Sequence, residues 1–180
     1  MAQIGTTPSL TIGEPTGQVA TYKERTAVRC FIIKDSNICI IHVKNGNYYK
    51  LPGGGVDPED EGNHQVAVKR EALEETGCEV EVLGEVVAHT LEWREPIKQD
   101  SYAYVCKVVK DTGKIALTED EIKAGLEHEW CSVSEALQKM KVIEPTNMVG
   151  RFRKERDVFL LEEFVKKCGL VVPSLRGGHR

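Results

Sequence analysis

Apolar and polar positions along the chain follow two different periods. Residues 26–34 and 38–44 are β-rich runs separated by Asp35-Ser36-Asn37, which reads as a hairpin turn. Asn45-Gly46-Asn47 is a second turn signal and leads into a short extended run at residues 48–51. Pro52-Gly53-Gly54-Gly55 then breaks regular structure. Residues 63–76 give the clearest helix, with Asn63 placed to cap its start and Gly77 where a left-handed terminal residue is wanted. Further on, residues 78–93 read as a long or bent strand region interrupted at Gly84, and residues 101–109 as another strand. Residues 111–121 are polar and read as a loop, 126–132 as a short strand, and 134–141 as a short helix capped by Ser132 or Ser134. Residues 145–151 read as a connection. Residues 157–167 form an amphipathic helix with Val158, Leu161 and Val165 on one stripe.

This order gives a flexible lead-in at residues 1–20 with a short edge strand, one folded domain at 21–170, and a flexible tail at 171–180. Strands and helices intermingle, so the expected class is α/β, with helices on both faces of a mixed sheet.

Composition narrows the function. At 180 residues the chain suits a single domain with tails. Its net charge of −4 argues against broad electrostatic binding to nucleic acid or to an anionic membrane. A small anionic substrate stays open, because a bound metal reverses the sign of a local field. The six cysteines form no Cys-x-x-Cys pair and no zinc-like cluster; Cys30, Cys39, Cys106 and Cys131 lie in apolar or β-like surroundings and read as buried reduced thiols. Residues 1–13 lack the basic and apolar regions of a secretory signal, and no apolar run reaches the length of a membrane span. A cytoplasmic location is the expectation.

The candidate chemistry lies on the helix at 63–76. At about 100° per residue, Glu74 and Glu75 fall within roughly 60° of Glu71 on either side. Leu73 and Val66 point almost oppositely and are expected to pack on the sheet. Three converging carboxylates repel one another and stand near the helix end that disfavours anions. A hard cation relieves both penalties, and oxygen-only ligands favour Mg²⁺ or Mn²⁺. Because Mg²⁺ commonly bridges carboxylates to phosphates, the pattern points to phosphate chemistry. The competing reading is a solvated acidic helix face. Arg70 is placed to orient a carboxylate by a paired contact, and the glycines let the backbone approach a helix and a ligand closely.

The segment resembles the Nudix box: Gly, five residues, Glu, seven residues, then Arg-Glu-apolar-x-Glu-Glu-x-Gly-apolar. Gly55, Glu61, Arg70, Glu71, Ala72, Glu74, Glu75, Gly77 and Cys78 take its fixed places, after the lead-in Leu51-Pro52-Gly53-Gly54. With the strand layout and the Trp130-Cys131-Ser132 segment, the resemblance spans roughly residues 25–168. One departure stands out. Eight residues, not seven, separate Glu61 from Arg70. Either Gly62 is an inserted loop residue, which is the favoured reading, or it replaces the first glutamate of the box.

The resemblance implies a Nudix-type α/β/α sandwich that hydrolyses a nucleoside diphosphate linked to a moiety X, by in-line attack of metal-activated water on phosphorus. It implies Glu71, Glu74 and Glu75 as ligands of Mg²⁺ (or Mn²⁺), Arg70 as their orienting partner, and Gly53, Gly54, Gly55 and Arg94 against the substrate. The general base or an extra ligand would come from Glu61, Glu121 or Glu127, with Glu119 and Glu129 also in range. It also makes a homodimer an expectation. His64 reads as an exposed first-turn histidine, Trp93, Tyr102 and Tyr104 as core aromatics, Lys98 as surface charge, and the basic run at 151–156 as a solvated helix start. Three alternatives stay open. One is a nucleotide sensor with a degenerate site. Another is a hydrolase of a non-nucleotide diphosphate, such as an inositol pyrophosphate or a capped RNA end, against which the low positive charge weighs. The third is an isoprenoid diphosphate isomerase.

Overall fold

A computed structural model describes residues 6–170. The expected tail at 171–180 and the first five residues of the expected lead-in lie outside the described residues. Within these residues, seven strands form one mixed sheet: β1 (Ser9–Ile12), β2 (Lys23–Lys34), β3 (Asn37–Val43), β4 (Tyr48–Lys50), β5 (Cys78–Arg94), β6 (Ile97–Asp111) and β7 (Leu126–Cys131). Their order is β1-β5-β6-β2-β3-β4, with β7 paired to β3. β2 lies parallel to β6 and β1 parallel to β5, while β5 and β6 run antiparallel. The edge strand expected in the lead-in is therefore present. The interruption expected at Gly84 is a register shift between Leu83 and Ala88 within one continuous strand.

Among the described residues, four α-helices complete the fold: α1 (His64–Thr76), α2 (Glu119–Ala124), α3 (Val133–Val142) and α4 (Met148–Lys167). Asn63 caps α1 by accepting from Gln65 N and Val66 N, and Gly77 closes it in the left-handed region. Ser132, rather than Ser134, caps α3. α1 covers one face of the sheet, where Ala67, Val68 and Ala72 meet Val28, Cys30 and Ile32. On the other face, Met140 of α3 and Leu160, Leu161 and Phe164 of α4 pack with Phe31, Ile38, Ile40 and Leu51. The α/β/α layering follows from these two cores.

Two boundaries differ from expectation. The polar stretch at 111–121 is not all loop, because Thr118 starts α2 through a reciprocal capping box with Glu121. The connection expected at 145–151 ends earlier, because Asn147 accepts from Gly150 N and starts α4 at Met148. The basic run at 151–156 hides that first turn from a reading of apolar period. It is not wholly solvated: Arg156 is fully buried.

Candidate active site

The loop after β4 is pinned to β2. Cys30 N donates to Pro52 O at 2.8 Å and Val28 N to Gly54 O at 2.9 Å. Gly53 takes a φ of +133°, which only glycine adopts readily, and a Cβ there would strike the Val28 carbonyl. A Cβ at Gly54 would strike the Glu71 carboxylate. The expected close approach of glycine backbone to the helix is thus a packing fact.

α1 presents the opposite face from the one expected. Val66 is 44% exposed and Leu73 38%, whereas Glu71 and Glu75 are buried together with Ala67, Val68 and Ala72. Small residues let the helix sit close to β2, and the two carboxylates are accepted inside because each is satisfied there. Glu75 pairs with Lys50 and accepts from Gly53 N at 2.8 Å. Glu71 accepts from Arg70 Nη1 at 2.9 Å. Burial first, and the Glu75 charge second, push the Glu71 carboxyl up to about 7 against the pull of Arg70. Glu74 stands at the rim, 3.3 Å from Arg70 Nη1.

Arg70 makes five hydrogen bonds to four partners. Besides Glu71 and Glu74, it donates to Gly55 O at 2.9 Å and to Asp60, from Nε to Oδ1 at 3.1 Å and Nη2 to Oδ2 at 2.7 Å. Asp60 is 2% exposed, and its hydrogen bonds from Arg70 hold its carboxyl below the usual range. Glu61, the expected residue, is exposed with φ +51°, followed by Gly62 at φ +73°. These two left-handed residues form a turn after the 3₁₀ helix Pro58–Asp60, which places the extra length in the loop and leaves the register of α1 intact. Counting five residues from Gly54, rather than from Gly55, arrives at Asp60 and could have found it.

Beside the glutamates opens a cleft of about 230 Å³, lined by Arg25, Arg29, Lys50, Gly53, Gly54, Asp120, Glu121, Ala124, Leu126, Arg153 and Arg156. Behind it runs a polar chain unforeseen in the sequence. Arg25 Nη1 donates to Gln99 Oε1 at 2.9 Å, and Gln99 Nε2 to Glu92 Oε2 at 2.9 Å. Arg156 then pairs with Glu92 at 3.2 Å and with Asp157 at 2.6 Å, and Asp157 accepts from Leu51 N at 2.9 Å. This chain ties α4 to the backbone just ahead of the glycine loop. One signal was legible: Arg25 and Arg29 share a strand face with buried Ala27 and Phe31, so two arginines point toward a core layer.

Of the later acidic residues, Glu121 lines the cleft with Gly53 and Gly54. Glu127 pairs with Lys44 and Glu129 with Lys139, while Glu119 is exposed on α2, 3.9 Å from Lys123. Gly55 lies against the Arg25 guanidinium. Arg94 ends β5, half-buried, with an Nε lacking a protein partner. Lys98 pairs with Glu24 and lies over Trp93. His64 is half-buried, bonded to the Tyr104 hydroxyl at 2.8 Å and stacked near Tyr102.

Among the described residues, no group of three His, Cys, Asp or Glu side chains is arranged to hold a metal ion. Arg70 bonds one oxygen each of Glu71 and Glu74, and Lys50 one oxygen of Glu75, so the three glutamates are not preassembled as a cage. The donor chemistry still fits a hard divalent cation. Two carboxylates are buried side by side, one of them destabilised by the other's charge, under a glycine that leaves the oxygen uncovered.

A glycine loop seated on a helix that carries Arg-Glu-x-x-Glu-Glu, within an α/β/α sandwich, defines a class of phosphoanhydride-directed folds. The NUDIX domain model matches residues 23–152, and the chain belongs to the Nudix family as a Nudix hydrolase. It is similar to diphosphoinositol polyphosphate phosphohydrolase 3-alpha of Homo sapiens, 28% identical over 128 residues, covering 70% of this chain and 74% of that protein. Diphosphoinositol polyphosphate phosphohydrolase 2 of Rattus norvegicus is 29% identical over 129 residues, covering 70% and 67%. The fold is shared with a MutT protein from Methanosarcina mazei Go1 (TM-score 0.57, 20% identity, 84% of this chain and 99% of that one). It is shared too with a Nudix hydrolase from Nitrosomonas europaea (TM-score 0.56, 19% identity, 88% and 98%).

Proposed function

We propose that the chain hydrolyses the phosphoanhydride of a small-molecule diphosphate with the help of a divalent cation, Mg²⁺ or Mn²⁺. The carrying observation is that Glu71 and Glu75 are buried beneath Gly53 and Gly54, at the edge of a cleft walled by arginines. Glu71, Glu74 and Glu75 would hold the cation, which when bound supplies a Lewis acid for phosphoryl oxygens. Arg70 fixes the side chains of Glu71 and Glu74, and Lys50 fixes Glu75. Gly53 and Gly54 leave room for the diphosphate, and Glu121, which lines the same cleft from α2, is the candidate to accept the proton of the attacking water. Bond cleavage is in line, with water oxygen joining one phosphorus and the bridging oxygen leaving with the other phosphate. The free thiols, five of them buried, fit a reducing compartment such as the cytoplasm.

Nucleoside diphosphates linked to X remain in the substrate set. The relatives named for diphosphoinositol polyphosphates add phosphorylated rings to it. The test is phosphate release from nucleoside triphosphates, dinucleoside polyphosphates, ADP-ribose, nucleotide sugars and inositol pyrophosphates, with Mg²⁺, Mn²⁺ or EDTA. Metal-dependent turnover that Glu74→Gln abolishes supports the reading. Ligand binding without turnover of any compound would transfer it to a sensor.

A further inference from the structure

Four arginines and one lysine line the cleft. Arg156 is neutralised by Glu92 and Asp157, and Lys50 by Glu75. Among the described residues no carboxylate pairs with Arg25, Arg29 or Arg153. Their protein hydrogen bonds go to neutral groups instead: Arg25 to Gln99, Arg29 Nη1 to the Val28 carbonyl at 3.1 Å, and Arg153 to the Tyr48 hydroxyl. Arg29 is the decisive residue. It is 4% exposed, lines the cleft, and has an Nε with no protein partner. A buried guanidinium is costly unless paired. Burial, and then the charge of Arg156, pull its pKa down to about 10. The charges of Asp157 and Glu92 offset only part of this, and the Nε of Arg29 is left without a protein acceptor.

We propose that Arg25, Arg29 and Arg153 form a second anion subsite, which takes a phosphoryl group on the X moiety of the substrate. This rests on the hydrolase reading and narrows it: X is itself phosphorylated. Planar guanidinium groups converging from β2 and α4 match the oxygens of a phosphate monoester, whereas a neutral sugar would leave Arg29 uncompensated. Asp120 and Glu121 face the same cleft from α2. They are the only acids lining it among the described residues, so they bound the subsite on one side. The net charge of −4 gives no hint of this cluster, because it sums over the whole chain.

The group bound there could come on a phosphorylated ring or on a longer polyphosphate chain. Two probes separate these sources: inositol hexakisphosphate, with monoesters and no anhydride, and inorganic tripolyphosphate. Titration calorimetry of the full chain in EDTA should show one or both binding. Arg29→Met, which keeps the packing volume, and Arg25→Gln, at the cleft mouth, should each weaken that binding at least tenfold. In the presence of Mg²⁺, kcat/KM for a diphosphate with phosphorylated X should fall at least tenfold further in each variant than that for UDP-glucose. Equal losses on both substrates, or unchanged probe binding in both variants, would overturn the subsite. A wild type that binds a probe through these arginines but hydrolyses nothing would keep the subsite and sink the hydrolase reading. Turnover without probe binding would do the reverse.

Discussion

Arg70 clasps Asp60 by two parallel hydrogen bonds, Nε to Oδ1 at 3.1 Å and Nη2 to Oδ2 at 2.7 Å, while its remaining nitrogen reaches Glu71 and Glu74. The loop acid thereby sets the position of the helix carboxylates through one guanidinium. Asp60→Asn should lower stability by about 1–3 kcal/mol, because a partly buried charged donor loses its partner, and should lower kcat as Glu71 loosens. Glu61→Gln, in the exposed turn, should stay within about 0.5 kcal/mol of wild type. Melting and turnover of the two variants decide which acid does the work.

The same pair has a pH signature. Hydrogen bonds from Arg70 hold the folded-state pKa of Asp60 below the usual carboxylate value of 3.8. Its contribution to stability is therefore full above about pH 3.8 and is lost as pH falls through the lower folded value. The gap in denaturation midpoint between wild type and Asp60→Asn should be constant well above pH 3.8 and narrow as pH falls below it. A gap that persisted undiminished at the lowest pH would show that it arises from packing rather than charge.

Lys50 and Glu75 form a buried pair at the root of the glycine loop. Removing one partner leaves the other unpaired, so Glu75→Gln and Lys50→Met should each cost about 3–5 kcal/mol. The double variant should cost clearly less than the sum, a coupling that a double-mutant cycle reads directly. Simple additivity would mean that the two side chains are not paired in solution.

Glu74 sits at the rim and contributes little to packing. Glu74→Gln should melt within about 0.5 kcal/mol of wild type yet lose most turnover. The rise in melting temperature on adding Mg²⁺, expected from binding to the native state alone, should shrink with it. A variant with normal turnover and an intact Mg²⁺ shift would remove Glu74 from the metal set.

Leu73 tests the orientation of α1. Its side chain faces outward at 38% exposure, so Leu73→Ala should cost well under 1 kcal/mol. Ala72→Leu, into the contact with β2, should cost about 1–3 kcal/mol by overpacking. The reverse ranking in chemical denaturation would restore the orientation suggested by the helical wheel.

Much was legible in the sequence, because some signals are local. Asn63 and Gly77 mark the ends of α1 through their own hydrogen-bonding and backbone preferences, and the alternating runs locate most strands. The spacing of Arg70, Glu71, Glu74 and Glu75 brings these residues onto one side of α1 whatever surrounds it. Which side that is was not local. Helix periodicity ranks Leu73 and Val66 as inward, but it cannot weigh a Lys50 arriving from β4 or a backbone N–H from Gly53, and these make buried carboxylates tolerable. The arginine cleft is likewise a product of topology. Arg25 and Arg29 come from β2 and Arg153 from α4, more than a hundred residues later in the chain. Only the packing of α4 across the sheet, with Asp157 bonded to Leu51 N and Arg156 to Glu92, decides that they share one cleft. The sequence by itself determined most of the elements and the family motif, because these depend on neighbours a few residues apart. The tertiary structure decided which groups are buried together and which charges find partners, because burial and pairing depend on distances in space.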